Sequence, residues 1–279
     1  MLRSMYSGIS GMKSNQTRMD VVGNNVANAS TTAYKKSSAR FTDTLYQNSI
    51  YASAPSGGIG GVNPGQVGLG VKVAGINKNM IQGSMQTTGN NTDFAIDGDG
   101  YFTIDKGKTG APEIVYTRDG SFSIDTNGDL VTANGYHVVD STGAQINIPN
   151  EHPKGSTDPK KKVTSFTVSK DGSVSLALAD GTKADNTSGF NVKLGIAVFK
   201  NPAGLEALSG NLYGVTGNSG APIANAKYGN VNQGAIEMSN VDLSEEFTEM
   251  IVTTRAFQAS SKVITTSDEI LQEIINLKR

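Results

Sequence analysis

The first thirty residues carry apolar side chains at helical spacing. Gly8, Gly11 and Gly23 each weaken an isolated helix by about 1 kcal/mol relative to Ala, but they also let a second backbone approach closely. The pattern predicts a helix over residues 1–30 that is stable only when packed. Alternating steps of four and three residues, typical of one face of an amphipathic helix, connect Met5, Ile9, Met12, Gln16, Met19, Gly23 and Val26.

The other end of the chain repeats this pattern more strongly. Asp242 followed by Glu245 resembles a capping box, and neither Gly nor Pro occurs from 242 to 279. The sequence therefore predicts a helix over 242–279, roughly 55 Å long at the usual rise per residue. One mostly apolar stripe runs along this helix, and the three residues Ile251, Ile270 and Ile274 widen it. Its steps of three and four residues connect Phe247, Met250, Thr254, Phe257, Ser261, Ile264, Asp268, Leu271 and Ile275.

Between the two predicted helices the character of the chain changes twice. Residues 31–70 are polar and then rich in Gly, Pro and Ser, which predicts an extended, irregular linker. Residues 71–241 contain short alternating runs separated by turn signals. Asn127-Gly128, Asp171-Gly172 and Asp180-Gly181 suit tight hairpins, because both central residues of such a turn adopt positive φ. This part is expected to be a β-rich domain.

The predicted fold class is α+β, with a mainly-β domain inserted between long terminal helices that pair as a coiled coil. The two stripes match, so the simplest packing places the helices side by side. Each stripe is wider than one partner helix covers, and further copies of the chain could bury the remainder. Packing of the stripes on the chain's own domain is the alternative that periodicity alone leaves open.

Composition excludes several function classes. The 279 residues have a formal net charge of −1, which gives no electrostatic reason to expect a nucleic-acid partner. Without Cys there is no thiolate catalysis or Cys-ligated zinc. No apolar run reaches the length of a membrane helix, and the N-terminus lacks a signal-peptide pattern. We expect no membrane insertion, no cofactor, no metal and no enzymatic activity.

Few residues could carry chemistry. His137 and His152 are the only histidines, and they lack partners at metal-ligand spacing. Asp125, Asn127 and Asp129 resemble the start of a calcium loop, but the sixth position is not Gly and the twelfth is not Glu. A hairpin turn explains this segment without a metal.

Four segments, in order along the chain, resemble the flagellar rod and hook family of bacterial axial proteins. They are NNVANASTTAYK (24–35) within the N-terminal region, TDFAIDGDGYFTI (92–104), YTRDGSFSIDTNGDLVTANGYHV (116–138), and the C-terminal region from GAIEMSNVDL (234–243) onward. Within the family, the Gly-Leu-Gly-Val run at 68–71 is similar to hook proteins. The compact size also suits a distal rod protein, which is the alternative interpretation.

The resemblance implies a structural subunit of the hook, a flexible tubular joint between rod and filament with an axial export channel. It implies export by the flagellar type III apparatus without a cleaved signal peptide, and a location in the extracellular hook. The implied partners are further copies of the chain, the distal rod protein, the hook cap protein and the hook–filament junction protein. The terminal helices would form the inner tube, the β-domain the outer layer, and the linker would contact neighbours.

The resemblance gives one set of candidate residues, and the apolar stripes of the two helices give a second. The family signature comprises Asn24, Asn25, Ala27, Asn28, Tyr34 and Lys35. The predicted assembly residues are Met5, Ile9, Met12, Met19, Val26, Phe247, Met250, Ile251, Phe257, Ile264, Leu271 and Ile275. A secreted carbohydrate-binding module or adhesin is the alternative of another class. It needs an exposed aromatic platform, for which no Trp is present.

Overall fold

A computed structural model describes residues 2–55, 60–107, 113–152, 161–180, 182–184, 192–223 and 227–277. The chain forms two compact units. Unit 1 comprises Met1–Ala29, Lys36–Asn79 and Val241–Arg279, whereas unit 2 comprises Ser30–Lys35 and Met80–Asn240.

Unit 1 contains the two predicted helices. Helix α1 spans Leu2–Ala27 and helix α2 spans Leu243–Leu277. The Asp242 carboxylate caps α2, because it accepts hydrogen bonds from the backbone N–H of Ser244 at 2.8 Å and of Glu245 at 3.4 Å. The helices pack together in antiparallel orientation, which confirms the predicted pairing. Neither helix is long and apolar enough to cross a membrane within its described residues.

The linker predicted for 31–70 contains regular strands. Strand β1 (Ser37–Asp43) pairs with β4 (Val71–Lys78), and β2 (Tyr46–Ile50) pairs with β3 (Gly65–Gly68), both antiparallel. The Gly- and Pro-rich stretch that suggested an irregular connector begins directly after β2 in the sequence and runs into β3. The strands on either side are short and carry register shifts, so their alternation is weak in the sequence.

Unit 2 is built from short strands, as expected from the turn signals. Its strands are β5 (Met85–Thr87), β6 (Phe94–Asp97), β7 (Tyr101–Asp105), β8 (Ile114–Thr117), β9 (Phe122–Ile124), β10 (Leu130–Thr132), β11 (His137–Val138), β12 (Glu151–His152), β13 (Lys161–Val168), β14 (Val174–Leu178), β15 (Lys183–Ala184), β16 (Ile196–Ala197), β17 (Glu206–Ala207), β18 (Leu212–Gly214), β19 (Asn230–Gln233) and β20 (Ala235–Glu237).

The strand pairs described in unit 2 are all antiparallel. The largest sheet has the order β17-β18-β8-β7-β11-β10-β9, with β16 also pairing with β7. A second sheet has the order β12-β13-β14-β15, while β19 pairs with β6 and β20 with β5. Strands β20 and β19 come from the end of the unit's sequence and β5 and β6 from its beginning, so these two ladders join the unit's first and last parts.

Turns lie at two of the predicted dipeptides, but they are not of the predicted type, because only the glycine of each pair has a positive φ. Gly128, between β9 and β10, has a φ of 85°, and Gly172, between β13 and β14, has a φ of 77°. The Asp125 carbonyl accepts the Gly128 N–H at 2.8 Å, so the segment that resembled a calcium loop is a hairpin turn. In the Asp180-Gly181 pair, Gly181 lies outside the described residues.

Two hydrophobic clusters form the core of unit 2. The larger cluster includes Phe94, Phe102, Leu130 and Leu176, all fully buried. The smaller cluster is aromatic, with the rings of Tyr101 and Tyr213 at 5.8 Å.

Candidate assembly surface

The contact between α1 and α2 consists of small side chains over much of its length. A Cβ at Gly8 would lie 3.0 Å from Cγ1 of Ile264, and one at Gly11 would lie 3.0 Å from Oγ of Ser260. The hydroxyls of Ser4 and Ser267 are 3.4 Å apart. The close approach that the sequence predicted is therefore present at Gly8 and Gly11, but not at Gly23, where no atom lies within 4 Å of such a Cβ.

Ion pairs and amide contacts continue this seam toward the start of α2. The Arg18 guanidinium donates to the Glu249 carboxylate at 2.6 Å, and the Asn25 amide donates to the buried Glu246 at 3.0 Å. Lys36 donates to Glu245 at 2.7 Å, a hydrogen bond that raises the pKa of the Lys36 ammonium. Sequence patterns missed these groups, because a charged residue beside an apolar stripe is usually solvated.

Because small and polar residues fill much of the seam, several predicted assembly residues remain exposed. Phe247 is 49% exposed, Ile251 62% and Ile275 65%. Ile9 is also exposed, whereas Ile264 lies against Gly8. The remaining predicted residues are half-buried: Met5, Met12, Met19, Val26, Met250, Phe257 and Leu271.

Exposed apolar side chains continue along α2 beyond the predicted set. Soluble monomers rarely expose large contiguous apolar patches, and such patches usually mark interaction sites. We refer to the exposed residues of both helices as the apolar helix surface: Tyr6, Ile9, Leu243, Phe247, Ile251, Val252, Val263, Ile270, Ile274, Ile275 and Leu277.

The β2–β3 hairpin is a second apolar feature of unit 1. Its exposed side chains include Tyr46, Ile50 and Val67, and the flanking Leu45 and Tyr51 are exposed as well. A two-stranded hairpin is only marginally stable alone in water. This hairpin therefore also offers apolar area to a partner.

The family-signature residues have internal, structural contacts. Asn25 exchanges two hydrogen bonds with the backbone of Ser37, at 2.8 and 2.9 Å, which fixes the end of α1 to the start of β1. The Asn28 amide donates to the Asn24 carbonyl at 2.9 Å. Ala27 is exposed. Tyr34 and Lys35 belong to unit 2, where Tyr34 is half-buried and Lys35 is fully buried.

The described residues include no group of three or more His, Asp or Glu side chains placed to hold a metal ion. Nδ1 of His137 is buried without a hydrogen-bond partner, and the backbone of His137 pairs with Asp105.

A β unit inserted between paired terminal helices that expose an apolar surface is an arrangement suited to a structural protein that assembles with other subunits. Three family models match: "Flagella basal body rod protein" at residues 5–35, "Flagellar hook protein FlgE/F/G D1 domain" at 95–176, and "Flagellar basal body rod FlgEFG protein C-terminal" at 232–277. The flagellar basal-body rod protein FlgG of Bacillus subtilis is 46% identical over 284 residues, covering 100% of both chains. The chain belongs to the flagellar rod and hook family, whose members are structural components of the flagellum and polymerise within its axial structure.

Other relatives separate the rod from the hook. The flagellar basal-body rod protein FlgG of Borreliella burgdorferi is 39% identical over 288 residues and both full chains. The flagellar hook protein FlgE of the same organism is 27% identical over an alignment of 445 residues, so it carries long insertions. These relatives favour the rod over the hook that the sequence had suggested.

The Gly-Leu-Gly-Val run has a packing role inside unit 1. Gly70 has a φ of 128°, and a Cβ there would lie within 2.2 Å of the Ser10 hydroxyl oxygen on α1. The Ser10 hydroxyl also accepts the Val71 N–H at 3.3 Å. Glycine is thus required by packing inside unit 1, which carries no information on whether the polymer is a rod or a hook.

Proposed function

We propose that this chain is the distal rod subunit of the bacterial flagellum, a structural protein without catalytic activity. The observation that carries the proposal is the match over the full length of both chains to a protein named as a basal-body rod protein, at 46% identity. Copies of the chain and the flagellar export apparatus are its proposed partners. The hook cap and hook–filament junction proteins belonged to the hook interpretation and are not retained.

Electron microscopy of cells that lack the gene tests the choice between rod and hook. Basal bodies that end at the proximal rod support the distal rod. Complete rods without hooks support the hook, and normal flagella contradict both. Mass spectrometry of the assembled protein tests export without cleavage, since a missing N-terminal peptide would contradict it.

Polymerisation is driven by the apolar helix surface, which neighbouring copies cover. Each half-exposed Phe or Ile side chain that becomes buried contributes about 1 kcal/mol or more. A carboxylate at such a position would be buried without a partner, at a cost of several kcal/mol. Because Phe247 is 49% exposed in the single chain, Phe247→Asp should leave the monomer folded and prevent tube formation.

Gln258→Asp is the matched control. Gln258 is exposed on the same helix, and the residues three and four positions from it on either side do not belong to the apolar helix surface. Sedimentation and electron microscopy should show tubes from the control and monomers from Phe247→Asp. Normal tubes from both variants would refute the proposed role of this surface.

The β2–β3 hairpin is the second proposed contact with neighbours, in line with the contact role expected for the linker. It presents Tyr46, Ile50 and Val67 to solvent. Replacing these three residues with Ser should raise the protein concentration needed for assembly. An unchanged concentration would show that the hairpin is not an assembly contact.

A further inference from the structure

Unit 2 contains a buried cluster of three charged side chains from distant parts of the sequence. The side chains of Lys35, Glu237 and Arg118 are 0%, 1% and 4% exposed. Each lies in one of the segments that resembled the family: Lys35 in the N-terminal segment, Arg118 in the central one, and Glu237 in the C-terminal one. Three segments recognised separately in the sequence thus meet at one point.

The Glu237 carboxylate is the common acceptor of this cluster. Its Oε1 accepts the Lys35 ammonium at 2.5 Å and the Gly83 N–H at 2.9 Å, and its Oε2 lies 3.4 Å from Nη1 of Arg118. Lys35 also donates to the Ile81 carbonyl at 2.8 Å. Every one of these groups belongs to unit 2.

Arg118 is fixed by backbone and ring contacts. It donates to the carbonyls of Ile96 at 3.3 Å and Gly98 at 2.7 Å, and its guanidinium lies 5.2 Å from the Tyr101 ring centroid. The hydrogen bonds and ion pairs of Arg118 and Lys35 therefore reach a single carboxylate and otherwise neutral carbonyls within the described residues. Two cations share one anion, so the anion is needed to keep both charges buried.

The cluster joins the first and last segments of unit 2. Residues 30–35 are a six-residue part of this unit whose sequence neighbours on both sides belong to unit 1. Their backbone meets the end of the unit, since the Ala33 N–H donates to the Glu237 carbonyl at 2.8 Å and the Asn240 N–H to the Tyr34 carbonyl at 3.3 Å. Ala33 is fully buried with a φ of 55°, a conformation that needs support from its surroundings.

Burial lowers the pKa of the Lys35 ammonium, Glu237 opposes this effect, and the Arg118 charge adds to it. Glu237 is thus the group of this cluster that favours the charged form of Lys35.

We propose that Lys35, Arg118 and Glu237 form a clasp between residues 30–35 and the last strand of unit 2. Residues 30–35 dock stably only when this strand is in place, and the strand docks stably only when residues 30–35 are in place. Unit 2 then closes only when its first and last segments are both in place. The clasp is a conformational device, and Lys35 and Glu237 act as positioning residues. The proposal is independent of the choice between rod and hook.

Residue-resolved hydrogen exchange of the full chain tests the clasp. Glu237→Gln removes the carboxylate with which both Lys35 and Arg118 pair, and leaves two buried cations. The Ala33 and Asn240 amides should then exchange about 100-fold faster, as for a broken buried ion pair. Amides of β13 and β14, which belong to the second sheet, should keep their rates. Glu206→Gln, the same change at an exposed position of unit 2, should alter none of these rates.

Lys35→Met provides a second variant in case Glu237→Gln fails to fold. It leaves the Arg118–Glu237 pair intact and keeps an apolar side chain of similar length. The exchange of both Ala33 and Asn240 should rise about tenfold, because the segments depend on each other. Unchanged rates at these two amides would overturn the proposal. An equal rise throughout unit 2 would also overturn it, because that result indicates general destabilisation.

Discussion

Two chemically identical substitutions in α1 should have opposite effects. Gly8 and Gly23 lie on the same helix, and replacing Gly by Ala in a helix interior contributes about 1 kcal/mol of stability. A Cβ at Gly23 has no neighbour within 4 Å, so Gly23→Ala should gain the full amount. At Gly8 the added Cβ would lie 3.0 Å from Cγ1 of Ile264 and 3.3 Å from the backbone carbonyl oxygen of Ser260.

The backbone contact decides the magnitude at Gly8. The Ile264 side chain can move, but the Ser260 carbonyl cannot yield unless the helices separate. Overpacking of this kind costs about 1–3 kcal/mol, which offsets or exceeds the gain in helix propensity. Gly8→Ala is therefore expected to be neutral to about 2 kcal/mol destabilising, so the two variants should differ by about 1–3 kcal/mol.

Hydrogen exchange of the α1 amides in the full chain measures this difference. Gly23→Ala should slow exchange about fivefold, whereas Gly8→Ala should leave it unchanged or accelerate it up to about 30-fold. Ile264→Ala in the Gly8→Ala background should not recover the loss, because the 3.3 Å approach to the Ser260 carbonyl oxygen remains. Equal stabilisation by both substitutions would show that the helices do not approach closely at Gly8.

Three further predictions concern single side chains. Phe94→Ala empties a fully buried position beside Phe122 and should cost about 3–5 kcal/mol, measured as a lower denaturation midpoint of unit 2. Asp242→Ala removes the cap of α2 and should cost about 1 kcal/mol, with faster exchange confined to the Ser244 and Glu245 amides. Burial raises the pKa of the Tyr213 hydroxyl in the folded protein. The contribution of neutral Tyr213 to the free energy of unfolding is therefore complete below the unfolded pKa of about 10, and it is lost as pH rises through the folded pKa. Tyr213→Phe should flatten the alkaline limb of a titration of the unfolding free energy.

The helices could be predicted because their signals are local. The stripe periodicity, the Asp242 cap and the lack of Gly and Pro after it depend only on neighbouring residues. The positions of the turns at Asn127-Gly128 and Asp171-Gly172 were predictable for the same reason, but their type was not, because only the two glycines adopt positive φ. The strands within 31–70 were missed because the Gly- and Pro-rich loop dominates the composition there.

The buried charges could not be predicted, because their meaning depends on distant partners. Lys35 and Lys36 are adjacent and look equivalent in the sequence. In the structure Lys35 is paired with Glu237, 202 residues away, and Lys36 with Glu245, 209 residues away. No periodicity or spacing links such pairs. The resemblance marked Lys35 as part of a signature without giving a physical reason, and the clasp supplies one.

The helix seam explains how one chain can be stable alone and still polymerise. If the apolar stripes of α1 and α2 paired fully with each other, little apolar area would remain for neighbouring copies. Over much of its length the seam instead uses glycine, hydroxyl and ion-pair contacts such as Gly11 with Ser260 and Arg18 with Glu249. These contacts hold the helices close together and leave the side chains of Phe247, Ile251 and Ile275 exposed. Because the seam is largely polar, the apolar helix surface stays exposed on the single chain and can be buried by other copies.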